Sequence, residues 1–180
     1  NPLHELHFAD VEQKIVGSAH KLSKYIPLLK EFICNSHIKR IADEIYTSGI
    51  DDTLFNSSYF AKPAKIGKET KVHQDNAYFH REPSEVITCW FGLDESDKQN
   101  GGLYYYKGSH ALGILPHEPL GELGASMGIE RSVVAQMVEP YYTKEYLTLK
   151  RGDLVIHNAL VVHGSGPNLS ARPRRGINFS

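Results

Sequence analysis

From Leu54 onward the chain breaks into short β-branched and aromatic runs, each closed by residues that favour turns. The runs are Leu54–Phe60, Glu85–Leu93, Leu103–Tyr106, Tyr146–Leu149, Leu154–Ile156, Leu160–Val162 and Gly176–Phe179. Between them lie Lys98-Gln99-Asn100-Gly101-Gly102, Lys107-Gly108-Ser109, Arg151-Gly152-Asp153 and Gly164-Ser165-Gly166-Pro167. Gly, Asn and Pro there supply the backbone angles that end a strand. A parallel α/β sheet needs a helical crossover between successive strands, and these gaps do not alternate with helical patterns. The pattern predicts seven or eight short strands in a mainly β sandwich or jelly roll with a helical flank.

The flank is expected over residues 1–50. Ile38, Ile41, Ala42 and Ile45 follow the i, i+3, i+4, i+7 spacing of one buried helix face, with Asn35-Ser36 as cap candidates before them. An earlier helix is expected between Asp10 and Lys24, and another from Pro27, carrying Leu28, Leu29, Phe32 and Ile33 inward. The 180 residues suit one domain, with residues 51–180 as its β core. Residues 112–138 carry glycines and prolines first and helix-like spacing later, and read as an insertion or lid over one end. The chain opens Asn1-Pro2 without methionine and stops at Ser180 inside an expected strand, so it is expected to be incomplete at both ends.

Composition narrows the function classes. Twenty basic residues against 21 acidic ones give a formal charge of -1, and no five like charges run together. That balance argues against an electrostatic nucleic-acid binder. Apolar stretches such as Ala159–Val162 fall far below the roughly 18–20 residues of a bilayer span. Cys34 and Cys89 are too few for a disulfide framework, and no secretory signal precedes them, so a cytoplasmic location is expected. Without such a signal, the sequons at Asn56, Asn168 and Asn178 carry little weight.

Ten histidines are present, and spacing separates the candidates. In His73-Gln74-Asp75 the two end residues project to the same face of an extended segment. With a third ligand they would form a two-histidine, one-carboxylate site suited to non-haem Fe(II), although a hydrogen-bonded surface pair fits the motif as well. His163, after the run Leu160–Val162 and before a glycine-rich turn, is the leading third ligand. His157, ending another run, could line a pocket or be a satisfied core residue; His110 reads as a turn anchor, and His80 and His117 as loop residues near substrate. Gly124-Ala125-Ser126-Met127-Gly128 matches the nucleophile elbow of serine hydrolases, but that motif works only between a strand and a helix. Neither a dinucleotide nor a Walker phosphate loop occurs.

Five blocks agree in order and spacing with one family. His73-Gln74-Asp75, Asn100-Gly101-Gly102-Leu103, Gly108-Ser109-His110, Gly152-Asp153 and His163-Gly164-Ser165-Gly166-Pro167-Asn168-Leu169-Ser170 resemble the phytanoyl-CoA dioxygenase family of Fe(II)/2-oxoglutarate oxygenases. The resemblance covers roughly Asn56 to Ser180. It implies a double-stranded β-helix (a jelly roll, cupin-like), with Fe(II) held by His73, Asp75 and His163. It also implies 2-oxoglutarate and O2 as cosubstrates, and a small-molecule substrate hydroxylated as succinate and CO2 are released. The family's last arginine falls on Arg174 and pairs with the distal carboxylate of 2-oxoglutarate, with Arg172 and Arg175 as close competitors. Ser165 matches a hydroxyl that contacts the cosubstrate, and Phe91 stands where some relatives pack a tryptophan on it. Related halogenases and a non-catalytic jelly-roll binding module are the alternatives.

Overall fold

Strand pairing is antiparallel throughout the computed structural model, which describes residues 6–34, 37–45, 56–81, 86–122 and 125–180. The strands are β1 (Leu6–Asp10), β2 (Ile15–Ala19), β3 (Ser57–Lys62), β4 (Thr70–His73), β5 (Ile87–Gly92) and β6 (Leu103–Tyr106). They continue with β7 (His117–Glu122), β8 (Ala125–Ile129), β9 (Lys144–Tyr146), β10 (Leu154–Asn158), β11 (His163–Ser165) and β12 (Arg174–Phe179). Helices α1 (Leu22–Tyr25), α2 (Pro27–Cys34) and α3 (His37–Ile45) precede the core, and α4 (Asn76–Phe79) follows β4. A last helix, α5 (Arg131–Val133), runs on as a π-helical turn over Val134–Val138. One sheet has the order β1-β2-β3-β12-β5-β10, the other β4-β11-β6-β9, and β7 pairs only with β8.

The two-residue period of each strand sorts its side chains into inner and outer faces. Between the sheets lie Trp90 of β5, Leu103 and Tyr105 of β6, and Val161, with Val155 of β10 packed against them. The outer face of the large sheet presents Cys89, Phe91, Leu154, Ile156, Ile177 and Phe179, covered by Leu29 and Ile33 of α2 and Ile38 of α3. The outer face of the small sheet presents Tyr104 and Tyr106, covered by Leu115, Ile129, Val134 and Val138. Helices and the 112–138 segment thus close the two outer faces. The interior keeps a cavity of about 630 Å³.

The first fifth of the chain departs from the expected helical flank. In place of a helix between Asp10 and Lys24, β1 and β2 form a hairpin, and only the four residues of α1 are helical. Ile15-Val16 favour extended backbone, Lys14 takes the turn at φ 56°, and Gly17 passes with its Cβ position 3.0 Å from Ala9 N. The hairpin joins the sheet through Ser18 opposite Phe60 and Ala19 opposite Tyr59. Leu160–Val162 is likewise not a strand: Val161 N–H donates to Asn158 O in a turn, and the strand begins at His163. The mixed 112–138 segment contains the β7–β8 hairpin and α5. Asn35-Ser36, Leu54, Phe55 and Glu85 lie outside the described residues.

One glycine fixes the inner face. A Cβ on Gly176 of β12 would lie 2.1 Å from Trp90 Cζ2 and 2.9 Å from the Phe91 carbonyl oxygen, so Trp90 lies flat where any side chain would stand. Gly166, by contrast, has open space around its Cβ position. Gly176→Ala is expected to destabilise the fold by about 1–3 kcal/mol through overpacking, with Gly166→Ala within about 0.5 kcal/mol of wild type. Urea unfolding midpoints of the two variants check the difference.

Candidate metal centre

His73 is the last residue of β4 and His163 the first of β11, and the antiparallel register sets them directly opposite one another. Their rings stand 4.3 Å apart between centroids. Asp75 does not continue the strand: it is the N-cap of α4, at φ −60°, ψ −33°. The same-face pair is therefore made by a strand end followed by a helical turn, not by a plain extended segment. The turn brings Asp75 Oδ1 to 3.5 Å from Nε2 of both histidines. One ligand atom from each of the three residues lies within 4.8 Å of the others, and all three residues are buried.

The local sequence holds this turn from behind. Gln74, fully buried, donates through Nε2 to the carbonyls of Gly113 (2.7 Å) and Leu160 (2.5 Å) and accepts from Leu115 N–H at 2.8 Å. Its own N–H donates to His117 Nε2 at 2.9 Å, while His117 Nδ1–H donates to Leu115 O. The residue between the two ligands thus ties the motif to two other segments. Asn76 N–H closes the turn on Ala159 O.

Hydrogen bonds also fix the orientation of each ligand. His73 Nδ1–H donates to Lys71 O at 2.8 Å and His163 Nδ1–H to Val161 O at 3.0 Å, which leaves both Nε2 atoms as acceptors facing Asp75. Asp75 Oδ2 accepts from Thr88 Oγ1 (2.7 Å) and from His157 Nε2 (3.0 Å). Tyr105 Oη lies 3.1 Å from His157 Nδ1, and its ring stacks on His163 at 5.4 Å. With Tyr105 donating to Nδ1, His157 carries its proton on Nε2, toward the carboxylate. Burial works to raise the Asp75 carboxyl, but the neighbouring histidines outweigh it and hold it well below the usual range. Burial, with His73 nearby, lowers His163 to about 3. Asp75 thus rests ionised and His163 neutral, the states in which a carboxylate and an imidazole bind a divalent metal. Two nitrogens and one oxygen fit Fe(II), and the other ring nitrogens are already engaged.

The cavity continues from these ligands to β12. Arg174, 2% exposed, donates through Nε and Nη2 to Gly101 O at 3.0 and 2.7 Å, and its guanidinium lies 5.5 Å from the Trp90 ring centroid. Ser165 of β11 lines the same space.

A family model described as Phytanoyl-CoA dioxygenase (PhyH) matches residues 3–176. The chain belongs to the phytanoyl-CoA dioxygenase family. It is 32% identical over 166 residues to the phytanoyl-CoA dioxygenase domain-containing protein 1 homolog of Dictyostelium discoideum, covering 89% of this chain and 56% of that protein. It is 34% identical over 125 residues to the peroxisomal phytanoyl-CoA dioxygenase of Mus musculus, covering 65% and 35% respectively. Among solved structures, EctD from S. alaskensis with bound Fe matches at TM-score 0.78 and 18% identity over 98% of this chain and 59% of that one. EvdO2 from Micromonospora carbonacea complexed with 2-oxoglutarate matches at TM-score 0.67 and 27% identity, over 90% and 64%. The chain thus spans little more than half of its Dictyostelium relative. The double-stranded β-helix of this family is the fold described above.

Within the family frame, the structure separates the competing arginines. Arg172 is exposed and paired with Asp97 at 2.6 Å, and Arg175 points outward to Asp94 at 2.7 Å, so only Arg174 enters the cavity. Phe91 is corrected: it sits on the outer face of β5 against Phe32 and Phe179, and the adjacent Trp90 lines the cavity. Ser126 of the elbow-like motif falls on β8 of a hairpin, with Gly124 outside the described residues. Asn168 of the second sequon is fully buried, donating to Lys62 O and Arg172 O. Thr88 carried no sequence signal at all. His157 was one of two open readings until its bond to Asp75 decided for a site role.

His157 and Thr88 are positioning residues for Asp75. His157→Phe is expected to weaken Mn(II) or Fe(II) binding by about 10–100-fold, the usual effect of losing a partner of a metal ligand. Thr88→Val should move affinity in the same direction. Anaerobic metal titrations of the folded variants measure both.

Proposed function

We propose that the protein is an Fe(II)- and 2-oxoglutarate-dependent dioxygenase that hydroxylates a C–H bond of a small molecule. The observation that carries this reading is the convergence of His73, Asp75 and His163 on the wall of a cavity that also buries an arginine. Arg174 has no carboxylate partner among the described residues, so the site holds a buried positive charge that a dicarboxylate would neutralise. Asn178 Oδ1, also facing the cavity, is buried without a hydrogen-bond donor and offers a further polar contact. The similar structures of EctD with bound Fe and of EvdO2 complexed with 2-oxoglutarate support the same pairing of metal and cosubstrate.

In this reading His73, Asp75 and His163 hold Fe(II). When bound, the metal supplies the activation of O2 that couples loss of CO2 from 2-oxoglutarate, leaving succinate, to oxidation of the substrate C–H bond. Arg174 receives the distal carboxylate through the guanidinium edge that Gly101 O leaves open, and Ser165 adds a hydroxyl. Trp90, rather than Phe91, forms the apolar floor beneath the arginine. Tyr105, which burial keeps protonated, fixes His157 and packs His163 without adding charge. The inner aromatic residues exclude water around the reacting atoms. A cavity of about 630 Å³ suits a small-molecule ligand. The Asp75 carboxylate occupies the position that a halide would need, which weighs against the halogenase alternative.

The 112–138 segment forms part of the mouth. Tyr78 Oη donates to Met127 O at 3.0 Å, and Met127, like His73, lines the cavity. We assign to it the role of a cover that tightens over bound substrate. No helix among the described residues is long and apolar enough to cross a membrane. The two free thiols suit a reducing compartment such as the cytoplasm.

Screening substrate classes for stimulated succinate release tests the activity, with His73→Ala and His163→Ala expected to abolish both metal binding and turnover. If either variant retains full metal content by elemental analysis, the ligand assignment is wrong. Arg174→Ala should weaken 2-oxoglutarate binding by roughly 30-fold or more, from a loss of about 2–5 kcal/mol, while leaving metal content unchanged.

A further inference from the structure

The inner face of β12 changes character along its length. Arg174, Gly176 and Asn178 alternate onto that face, with Lys62, Phe60 and Ser58 of β3 opposite them in register. Lys62 and Arg174, both buried, close one end of the cavity with positive charge. Asn178 also lines the cavity, roughly 13 Å further along the strand. It lies toward the metal ligands: two residues beyond it, Ser180 Oγ is 3.1 Å from Thr88 Oγ1, which donates to Asp75.

The Asn178 amide has no partner among the described residues. Its Oδ1 is buried without a donor, and its Nδ2 makes no hydrogen bond. Ser58, its neighbour across β3, is committed elsewhere, donating to Asn56 Oδ1 at 3.1 Å and lying 2.9 Å from His20 Nδ1. Its neighbour across β5 is Trp90, whose indole is laid toward Gly176 and Arg174. A half-turn of the amide therefore breaks no hydrogen bond, and either end can face the cavity. Buried polar groups are almost always paired, and one left over on a cavity wall points to a ligand atom.

We propose that Asn178 is a specificity-determining residue and that the substrate carries a hydroxyl group, which this amide receives. This rests on reading the cavity as a dioxygenase site and goes beyond it by naming the polar group that the substrate presents. A hydroxyl both donates and accepts, so it matches either end of the amide. An ammonium only donates, and it would enter a cavity lined by Lys62, Lys68, Lys71 and Arg174. The carboxylates on the same wall are already engaged, Glu69 with Lys71 and Asp75 with the histidines. Charge therefore disfavours an amine. A carboxylate only accepts, and its natural partners are the cations at the other end, not a neutral amide. Phe60, Tyr78, Phe79 and Met127 supply apolar wall for the carbon frame. One directed bond at Asn178 then sets the register of that frame against the metal ligands. A ligand without the hydroxyl leaves the amide unpaired, and the site discriminates against it.

Three probes on one ring test the assignment: cyclohexanol, cyclohexylammonium and cyclohexanecarboxylate, each titrated into the anaerobic protein loaded with Mn(II) and 2-oxoglutarate. Bound Mn(II) broadens the proton resonances of a probe seated near it, so the titration reads affinity and place together. In wild type, cyclohexanol is expected to bind most tightly of the three. Asn178→Leu, of similar size and without polar atoms, should weaken cyclohexanol by about tenfold, roughly 1.4 kcal/mol, with the affinities for Mn(II) and 2-oxoglutarate unchanged. Asn178→Asp keeps an acceptor and adds a negative charge, so it should turn the preference toward cyclohexylammonium. A loss of packing would not produce that exchange, and it keeps the test valid if Asn178→Leu fails to fold. No broadening of cyclohexanol in wild type, a wild-type preference for either charged probe, or equal cyclohexanol binding by wild type and Asn178→Leu overturns the proposal while leaving the dioxygenase reading intact. Loss of 2-oxoglutarate affinity in Asn178→Leu with cyclohexanol binding kept assigns the amide to the cosubstrate and overturns it as well. Failure of the wild type to bind 2-oxoglutarate at all overturns both.

Discussion

The pairing of β4 with β11 is the constraint on which the site depends. A single antiparallel register places His73 opposite His163, and a slip of one residue would send each imidazole to the outer face of the sheet. The register is held at several points. Tyr105 pairs with His163 from the other side of β11, Gly164 admits the Tyr104 hydroxyl where a Cβ would come within 2.6 Å, and Ser165 pairs with both Leu103 and Thr70. The buried Gln74 amide then pins the chain just after His73 to the loops carrying Gly113 and Leu160. The metal ligands are thus positioned by backbone hydrogen bonds of three strands and by one amide, on rigid elements rather than on a loop.

Around that register the interior carries an ordered polar network. Thr88 and His157, the latter held by Tyr105, take one oxygen of Asp75 and leave the other between His73 and His163. At the far side, Gly101 O accepts twice from Arg174, and Trp90 lies against the guanidinium. The carboxylate is fixed by a hydroxyl and an imidazole N–H, and the guanidinium by a backbone carbonyl and an indole ring. Neither charge neutralises the other, and both remain available to ligands.

Much of this was legible in the sequence because its signals are local. His73 and Asp75 stand two apart, and His163 opens a conspicuous glycine-rich turn, so distance along the chain sufficed to nominate them. The central strands were equally visible as β-branched runs between turn residues. What escaped depends on pairing between distant segments. Lys62 looks like any surface lysine until β3 is set against β12, and Thr88 is one more β-branched strand residue until Asp75 Oδ2 meets it. Phe91 was misread by one position, and in a strand one position exchanges the inner and outer faces. The β1–β2 hairpin was hidden because its short, half-exposed strands lack clean alternation and draw their stability from the edge of β3.

Two of the three apolar clusters lie outside the sheets, beneath α2 and α3 on one side and beneath the segment after Gly113 on the other. Much of the driving force for folding therefore resides where no ligand reaches. The mouth of the barrel is released from that duty: residues such as Ile66, Tyr78 and Met127 can change without removing a member of any cluster. A scaffold divided in this way can exchange one substrate for another over evolutionary time by altering its rim, while its inner chemistry and its folding stability are inherited unchanged.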